Sequence, residues 1–247
     1  MAIITQDYFC PRIGMASEFR VILPETAAGA LAEAESTLFL LSPEGESGMN
    51  WITSTKIKVL CDRYRTAAVL VPCLQGCYTD MALGYPFYQS LRYVREYIQT
   101  YMRGIPVGEG EMAVAGVSVG GTAALRWAME EPELFAAAAS FSGMYSPDRP
   151  AGGWFTEKRL ENLYGDAQNR ISVRDGFTDL CRSTSAKNIY IFSAEGDPDA
   201  GRAAEIAESI GTGAVFRTAE GVSGWKTWSD RLADFMDWWK EGTEECH

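Results

Sequence analysis

The chain has little histidine: its 247 residues contain one, His247. It also lacks any apolar run near the 18 residues that span a bilayer, any internal repeat, and any cluster of Lys and Arg. With 22 basic and 33 acidic residues, the net charge is -11. Such a surface repels nucleic-acid phosphates and anionic lipids. We therefore expect neither nucleic acid nor a membrane as a partner.

The first residues, MAIITQDYFC, carry no basic segment and only a short apolar run. We therefore expect no signal peptide and a cytoplasmic location. Six cysteines are then expected to remain thiols. Cys73 and Cys77 show a Cys-x3-Cys spacing, which is a weak metal signal without a nearby histidine. We expect no metal site.

Short apolar runs alternate with helical patterns, and several runs are apolar on both faces. Helices are predicted over 91–102, 120–130 and 228–239. Strands are predicted over 19–24, 36–42, 67–72, 112–117, 136–142, 188–194 and 213–218. This alternation predicts an α/β fold, with a mostly parallel, doubly wound sheet covered by helices on both faces. One domain is expected over residues 1–247, with an irregular, cap-like insertion at about 144–185.

The stretch AGVSVGG contains a G-x-S-x-G pattern at Gly116, Ser118 and Gly120. A buried strand is predicted before it and a helix after it, which is the context of a nucleophile elbow. The glycines permit close strand–helix approach, and the helix N-terminus directs N–H groups at an oxyanion. Ser118 is therefore the candidate nucleophile. The structural alternative is a tight crossing with an incidental serine.

Three blocks carry a family resemblance: VAGVSVGGTAALRWAMEEPELFAAAASFSG, IFSAEGDPD and EGVSGWKTWSDRLADFMDWW. With the opening strands, they resemble the esterase D group of α/β-hydrolases, most of all its short tributyrin-esterase branch, from about Ile3 to Trp239. The resemblance implies the α/β-hydrolase fold and a Ser-Asp-His triad. It also implies hydrolysis of small acyl esters or thioesters without a cofactor.

On this resemblance, Ser118 matches the nucleophile and Asp197 matches the acid. The histidine position is occupied by Ser223, in the segment GVSGW. A serine hydroxyl holds no proton near pH 7 and is not a competent general base. His247 and Asp197 are the candidates for an unconventional base, and for His247 the structural alternative is a solvated C-terminal tail. For Asp197 the structural alternative is a hydrogen bond to Ser223 or to backbone N–H groups.

The oxyanion loop departs from the family as well. Where the family has Leu-Leu-His-Gly, this chain has Leu-Leu followed by Ser42 and Pro43. Proline has no N–H to donate, and Glu44 and Glu46 would bring negative charge towards a developing oxyanion. The backbone N–H groups of Val119 and Glu44 remain the candidate donors.

Four residues are candidates for lining the pocket: Ser42, Pro43, Trp154 and Phe155. Trp225 and Trp228 precede or begin an amphipathic helical stripe, so we expect them to pack in the core.

The sequence is compatible with three functions. The first is an esterase-D-type scaffold with impaired hydrolysis that binds a small acyl-ester-like ligand. The second is an active serine carboxylesterase with an unconventional base. The third is a non-catalytic binding or oligomerisation module, for which a homo-oligomer would be expected.

Overall fold

The computed structural model describes residues 2–10, 15–73, 76–79, 81–83, 105, 107, 110–148 and 155–242. The helix predicted over 91–102 lies outside these residues, as do Trp154 and His247.

Eight strands form one sheet in the order β1-β2-β4-β3-β5-β6-β7-β8. The strands are β1 (Ala2–Cys10), β2 (Met15–Leu23), β3 (Ser36–Leu41), β4 (Thr66–Val71), β5 (Glu111–Val117), β6 (Ala137–Phe141), β7 (Ile189–Ala194) and β8 (Ala214–Ala219). β1 and β2 are antiparallel to their neighbours, and the remaining pairs are parallel. The predicted mostly parallel sheet is confirmed.

Each of the seven predicted strands corresponds to an observed one. β3, β4, β6 and β7 are buried at every position, which explains their continuous apolar runs. β1 was not among the predicted strands. Its residues alternate between exposed and partly buried along most of its length, as in a half-buried edge strand, and it forms a hairpin with β2.

Helices cover both faces of the sheet. They are α1 (Met49–Ser54), α2 (Ile57–Tyr64), α3 (Val119–Glu130), α4 (Glu157–Tyr164), α5 (Ala167–Ser183), α6 (Ala200–Ile210) and α7 (Trp225–Glu241), with a short 3-10 turn at Gly211–Gly213. α1, α2 and α7 pack into the core on one face. α3, α4, α5 and α6 pack into the core on the other. Among the described residues, no helix is long and apolar enough to span a membrane.

The expectation of an irregular insertion at 144–185 was wrong in its larger part, because α4 and α5 occupy it. Each helix begins at a side-chain cap. Thr156 accepts a hydrogen bond from the Arg159 N–H at 3.3 Å, and Asp166 accepts one from the Asn169 N–H at 2.9 Å. Such caps satisfy N–H groups that a helix leaves without partners, so the order arises locally.

Gly116 and Gly176 give a matched test of how closely β5 packs against α3. A Cβ at Gly116 would lie 2.2 Å from the Gly120 carbonyl oxygen, whereas a Cβ at Gly176, inside α5, would meet nothing within 4 Å. Gly116→Ala should lower the free energy of unfolding by about 1–3 kcal/mol or more, since backbone must move. Gly176→Ala should raise it by roughly 0.5–1 kcal/mol through helix propensity. Urea denaturation of both variants measures this, and equal effects would contradict the tight crossing.

Candidate active site

The carboxyl ends of the parallel strands enclose a cavity of about 600 Å³. Such a position is where α/β sheets bind ligands. Its wall is built from the loops after β3, β5, β6, β7 and β8, together with the start of α7 and Phe155. The lining residues are Pro43, Glu44, Glu46, Ser118, Ser142, Gly143, Met144, Phe155, Asp197, Pro198, Asp199, Val222, Ser223, Gly224, Trp225 and Trp228.

Ser118 stands between β5 and α3 in a strained backbone conformation, with φ 54° and ψ -124°. A non-glycine residue there costs about 1–3 kcal/mol, so the surroundings must hold it in place. The Ser118 N–H donates to the Phe141 carbonyl at 3.1 Å. The Ser118 carbonyl accepts from the N–H groups of Gly121, Thr122 and Met144 at 3.0, 3.2 and 3.3 Å. This is the geometry of a nucleophile elbow, with the serine side chain in the cavity wall.

Close backbone contact makes the elbow possible. A Cβ at Gly120 would lie 2.4 Å from the Leu41 carbonyl oxygen and 2.7 Å from that of Ser42. The absence of a side chain at this position therefore lets the first turn of α3 approach the end of β3. The contact brings the N-terminus of α3 beside the loop that begins at Ser42.

Asp197 and Ser223 are in direct contact in the loops after β7 and β8. The Asp197 carboxylate accepts hydrogen bonds from the Ser223 N–H at 2.8 Å and from the Ser223 Oγ at 2.7 Å. It also accepts from the Ala194 N–H at 2.9 Å. Asp197 thus holds the loop after β8 in place. Among the described residues, no side chain hydrogen-bonds the Ser118 hydroxyl.

On the oxyanion side, Val119 is the first residue of α3, and its N–H is one of those for which a helix provides no acceptor. Pro43 and Glu44 line the cavity, and Pro43 has no N–H to donate. Ser42 does not line the cavity. It is fully buried, and its Oγ lies beside Gly48 and has no hydrogen-bond partner among the described residues.

Glu44 and Glu46 both stand in the wall that also contains Ser118. Burial raises the pKa of the Glu46 carboxyl, and the charge of Glu44 adds to the rise, while hydrogen bonds from Asn50 and Trp225 oppose it. One oxygen of each glutamate, Oε2, is buried without a hydrogen-bond partner in the described part of the chain. Two acidic side chains therefore stand in the same wall as Ser118.

Aromatic rings form another part of the wall. Trp225 makes an edge-to-face contact with Trp51 at 5.3 Å and another with Trp228 at 5.3 Å. Trp228 donates from Nε1 to the Ser142 Oγ at 3.0 Å. Both tryptophans thus pack against the core, as predicted, and also line the cavity, which was not predicted. Phe155 lines it from the segment before α4.

Other lining residues were also missed in the sequence, among them Ser142, Met144 and Asp199. Ser142 follows β6 with φ 51°, a second strained serine in the same wall. Met144 lies two residues further on. Asp199 accepts from the N–H groups of Tyr145 and Ser146 at 2.6 and 2.8 Å and so fixes the β6 loop. The available signal was their position just after buried strands.

Cys73 and Cys77 lie near the oxyanion loop, and neither thiol lines the cavity. Their mutual hydrogen bond lowers the pKa of Cys77, with a further contribution from Arg159, while burial raises the pKa of Cys73. Among the described residues, no three His, Cys, Asp or Glu side chains are grouped to hold a metal ion.

The fold and this site define an α/β-hydrolase, and the similarity to solved structures agrees. A fluorophosphonate-binding serine hydrolase, FphF, of Staphylococcus aureus superposes with a TM-score of 0.75 at 20% identity, covering 96% of this chain and 98% of that one. The S-formylglutathione hydrolase FrmB of Staphylococcus aureus gives 0.73 at 17% identity, covering 96% and 98%. An S-formylglutathione hydrolase of Agrobacterium tumefaciens gives 0.79 at 18%, covering 97% and 94%. At such identities the likeness establishes the fold.

The family model described as "Putative esterase" matches residues 86–236, which is more than half of the chain. The chain therefore belongs to this esterase family and is an esterase-D-like α/β-hydrolase of the serine-hydrolase type. No curated protein sequence matches it.

The raised pKa of Glu46 has a consequence for stability. Below its ordinary pKa the carboxyl is protonated in both the folded and the unfolded chain, so it does not change the free energy of unfolding. At higher pH the unfolded chain loses the proton more readily than the folded chain, so the partly buried carboxylate lowers the free energy of unfolding. Glu46→Gln should therefore stabilise the protein at pH 8 and not below pH 4. We expect a Tm increase of at most roughly 2–4 °C, since solvent screens a half-exposed group. Thermal melts across this pH range check it, with Glu208→Gln on the exposed side of α6 as the control. An increase of equal size at both pH values would contradict the assignment.

Proposed function

We propose that this protein is an esterase-D-type hydrolase scaffold that has lost efficient hydrolysis and keeps a ligand cavity over Ser118. One observation carries the proposal: the Ser223 hydroxyl donates to Asp197 at 2.7 Å, where the family resemblance puts the catalytic histidine. The acid of the triad is thus engaged by a group that accepts no proton from Ser118 near neutral pH.

The expected loss of rate is large. In serine proteases, removal of the histidine alone lowers kcat about 10⁶-fold, which corresponds to about 8 kcal/mol of barrier. The oxyanion hole normally preserves part of the remaining rate. Here Pro43 removes a possible donor, and Glu44 and Glu46 oppose negative charge on the substrate oxygen. The ligand we expect is a small acyl-ester-like molecule, turned over slowly or not at all.

A second candidate function is an active esterase with a carboxylate as its base. The raised pKa of Glu46, a residue of the same wall, is the observation that favours it, because a carboxylate of higher pKa is a better base. The lack of any hydrogen bond from a described side chain to the Ser118 hydroxyl opposes it. Turnover of p-nitrophenyl butyrate that is lost in both Ser118→Ala and Glu46→Gln would select this candidate.

The proposal is tested by restoring the base. Ser223→His places an imidazole next to Asp197 and should raise p-nitrophenyl butyrate hydrolysis by about 10²–10⁴-fold, the usual contribution of a general base. The increase should disappear when Ser118→Ala is added. Pro43→Gly, combined with Ser223→His, should increase the rate further by returning a backbone donor. Ser42 is left unchanged, because a histidine at that fully buried position would overpack the core.

A fluorophosphonate probe gives the matched readout, because it reports on the reactivity of Ser118 itself. The natural chain should be labelled slowly or not at all, and the Ser223→His variant should be labelled much faster. Rapid labelling of the natural chain that disappears in Ser118→Ala would refute the loss of activity.

A further inference from the structure

The two thiols of the Cys-x3-Cys pair are in contact with each other. Cys73 lies just after β4, and its thiol donates a hydrogen bond to Cys77 Sγ. From α4, the guanidinium of Arg159 donates to Cys77 Sγ at 3.9 Å. Two donors therefore approach the Cys77 sulfur, and one of them is a second thiol. Sulfur atoms that already touch meet the first requirement for a disulfide.

A strained turn presents Cys77 to this contact. The N–H and the Oγ1 of Thr79 both donate to the Gly76 carbonyl, at 2.8 and 2.9 Å. The two central residues of the turn, Cys77 and Tyr78, have φ values of 47° and 60°. Glycine, asparagine and aspartate are the usual residues at such positions. For other residues this conformation is unfavourable, and strain of this kind is concentrated at functional sites.

The two thiols differ in reactivity. The hydrogen bond from Cys73 lowers the pKa of the Cys77 thiol, and the positive charge of Arg159 lowers it further, against the effect of burial. Burial raises the pKa of the Cys73 thiol. The thiolate is the form that reacts with oxidants, so Cys77 is the first to react and Cys73 is the thiol that resolves the product.

A second cavity gives a small oxidant access to Cys77. It lies between α3, α4 and α5, has a volume of about 40 Å³, and has Cys77 in its described wall. Space of this size holds about one water molecule. Hydrogen peroxide is little larger than water, whereas an organic hydroperoxide carries a bulky group as well. The cavity therefore admits hydrogen peroxide and excludes larger peroxides.

The same short stretch of chain holds the oxyanion loop at both of its ends. The Cys73 N–H donates to the Glu46 carbonyl at 2.8 Å, and the Tyr78 hydroxyl donates to the Ser42 carbonyl at 3.1 Å. One attachment point is thus Cys73 itself, and the other is the residue next to Cys77. A covalent link between the two cysteines would oppose local opening of this stretch, and with it opening of the loop.

We infer that Cys73 and Cys77 form a redox-sensitive site, at which hydrogen peroxide converts the two thiols into a disulfide that fastens the oxyanion loop. The Cys77 thiolate attacks one peroxide oxygen, the O–O bond breaks, and a sulfenic acid and hydroxide form. The hydroxide takes up the proton that Cys77 has lost. The Cys73 thiol then attacks the sulfenic sulfur, so that the S–S bond forms and water leaves. Two thiols and one peroxide thus give one disulfide and two water molecules.

The test follows each cysteine of the full chain during oxidation. The folded protein is treated with hydrogen peroxide, the remaining thiols are alkylated, and the peptides are analysed by mass spectrometry. Cys73 and Cys77 should become a cross-linked pair at least about tenfold faster than the buried Cys61 and Cys181 lose their thiols. Dithiothreitol should then restore both thiols.

A larger oxidant tests the role of the second cavity. tert-Butyl hydroperoxide replaces hydrogen peroxide, and glutathione in solution gives the intrinsic ratio of the two reaction rates. Relative to that ratio, oxidation of Cys77 should be slower by at least about tenfold, because the cavity has no room for the tert-butyl group. A ratio equal to that of glutathione would contradict access through this cavity.

Variants separate the roles of the two thiols. Cys73→Ser keeps a hydrogen-bond donor beside Cys77, so Cys77 should still be oxidised, to a sulfenic acid that dimedone traps and without a cross-link. In Cys77→Ser, the thiol of Cys73 should persist under the same conditions. Cys181→Ser is the matched control, because it removes another buried thiol and should leave the cross-link unchanged. Far-UV circular dichroism verifies that the variants fold.

Hydrogen exchange reports on the oxyanion loop. The peptide that covers residues 42–46 should exchange at least about threefold more slowly in the oxidised chain than in the reduced chain, with no such difference in Cys73→Ser. The inference is overturned if peroxide leaves both residues as thiols, if Cys77 proceeds to a sulfinic acid without a cross-link, or if the loop exchanges equally in both forms. None of these results depends on Ser118 or on ester hydrolysis, so the proposed function is tested separately.

Discussion

The backbone crossing between β5 and α3 is the contact on which the site depends. Gly116 and Gly120 touch each other's backbone, and Gly120 also touches the end of β3, with distances that leave no room for a Cβ. Ser118 between them adopts a positive φ that only such tight surroundings maintain. The crossing brings the N-terminus of α3 to the edge where the loops after β3, β5 and β6 meet. The position of the cavity follows from this approach and not from the chemistry of the serine.

Groups of opposite charge then lie at the carboxyl ends of the strands. The N-terminus of α3 contributes a partial charge equivalent to roughly +0.5. Among the described residues that line the same cavity, four carry carboxylates, and burial raises the pKa of one of them, Glu46. Negative charge in the wall opposes the developing oxyanion of an ester hydrolysis, whereas the helix N-terminus favours it.

Local sequence patterns predict much of the fold but less of the candidate site. Seven strands appeared as apolar runs because parallel strands are buried on both faces. β1 was missed because three consecutive polar residues, Thr5, Gln6 and Asp7, interrupt its apolar residues, and α4 and α5 were missed because glycine and proline nearby obscured the caps at Thr156 and Asp166. Ser118, Asp197 and Ser223 came from motif and resemblance. The cavity roles of Ser142, Asp199 and Trp225 depend on which strand ends are neighbours, and strand order is a property of the whole sheet that no local pattern carries.

The contacts of Ser223 explain how the loops after β7 and β8 keep their shape. A carboxylate that loses a hydrogen-bond partner on burial destabilises the folded chain. At Asp197 no such cost arises, because the hydroxyl and N–H of Ser223 and the N–H of Ala194 satisfy it. The glycines and the strained serine of the elbow act on folding through the backbone alone. The Asp197–Ser223 contact and the backbone contacts of the elbow thus stabilise the cavity wall independently of any proton transfer from Ser118.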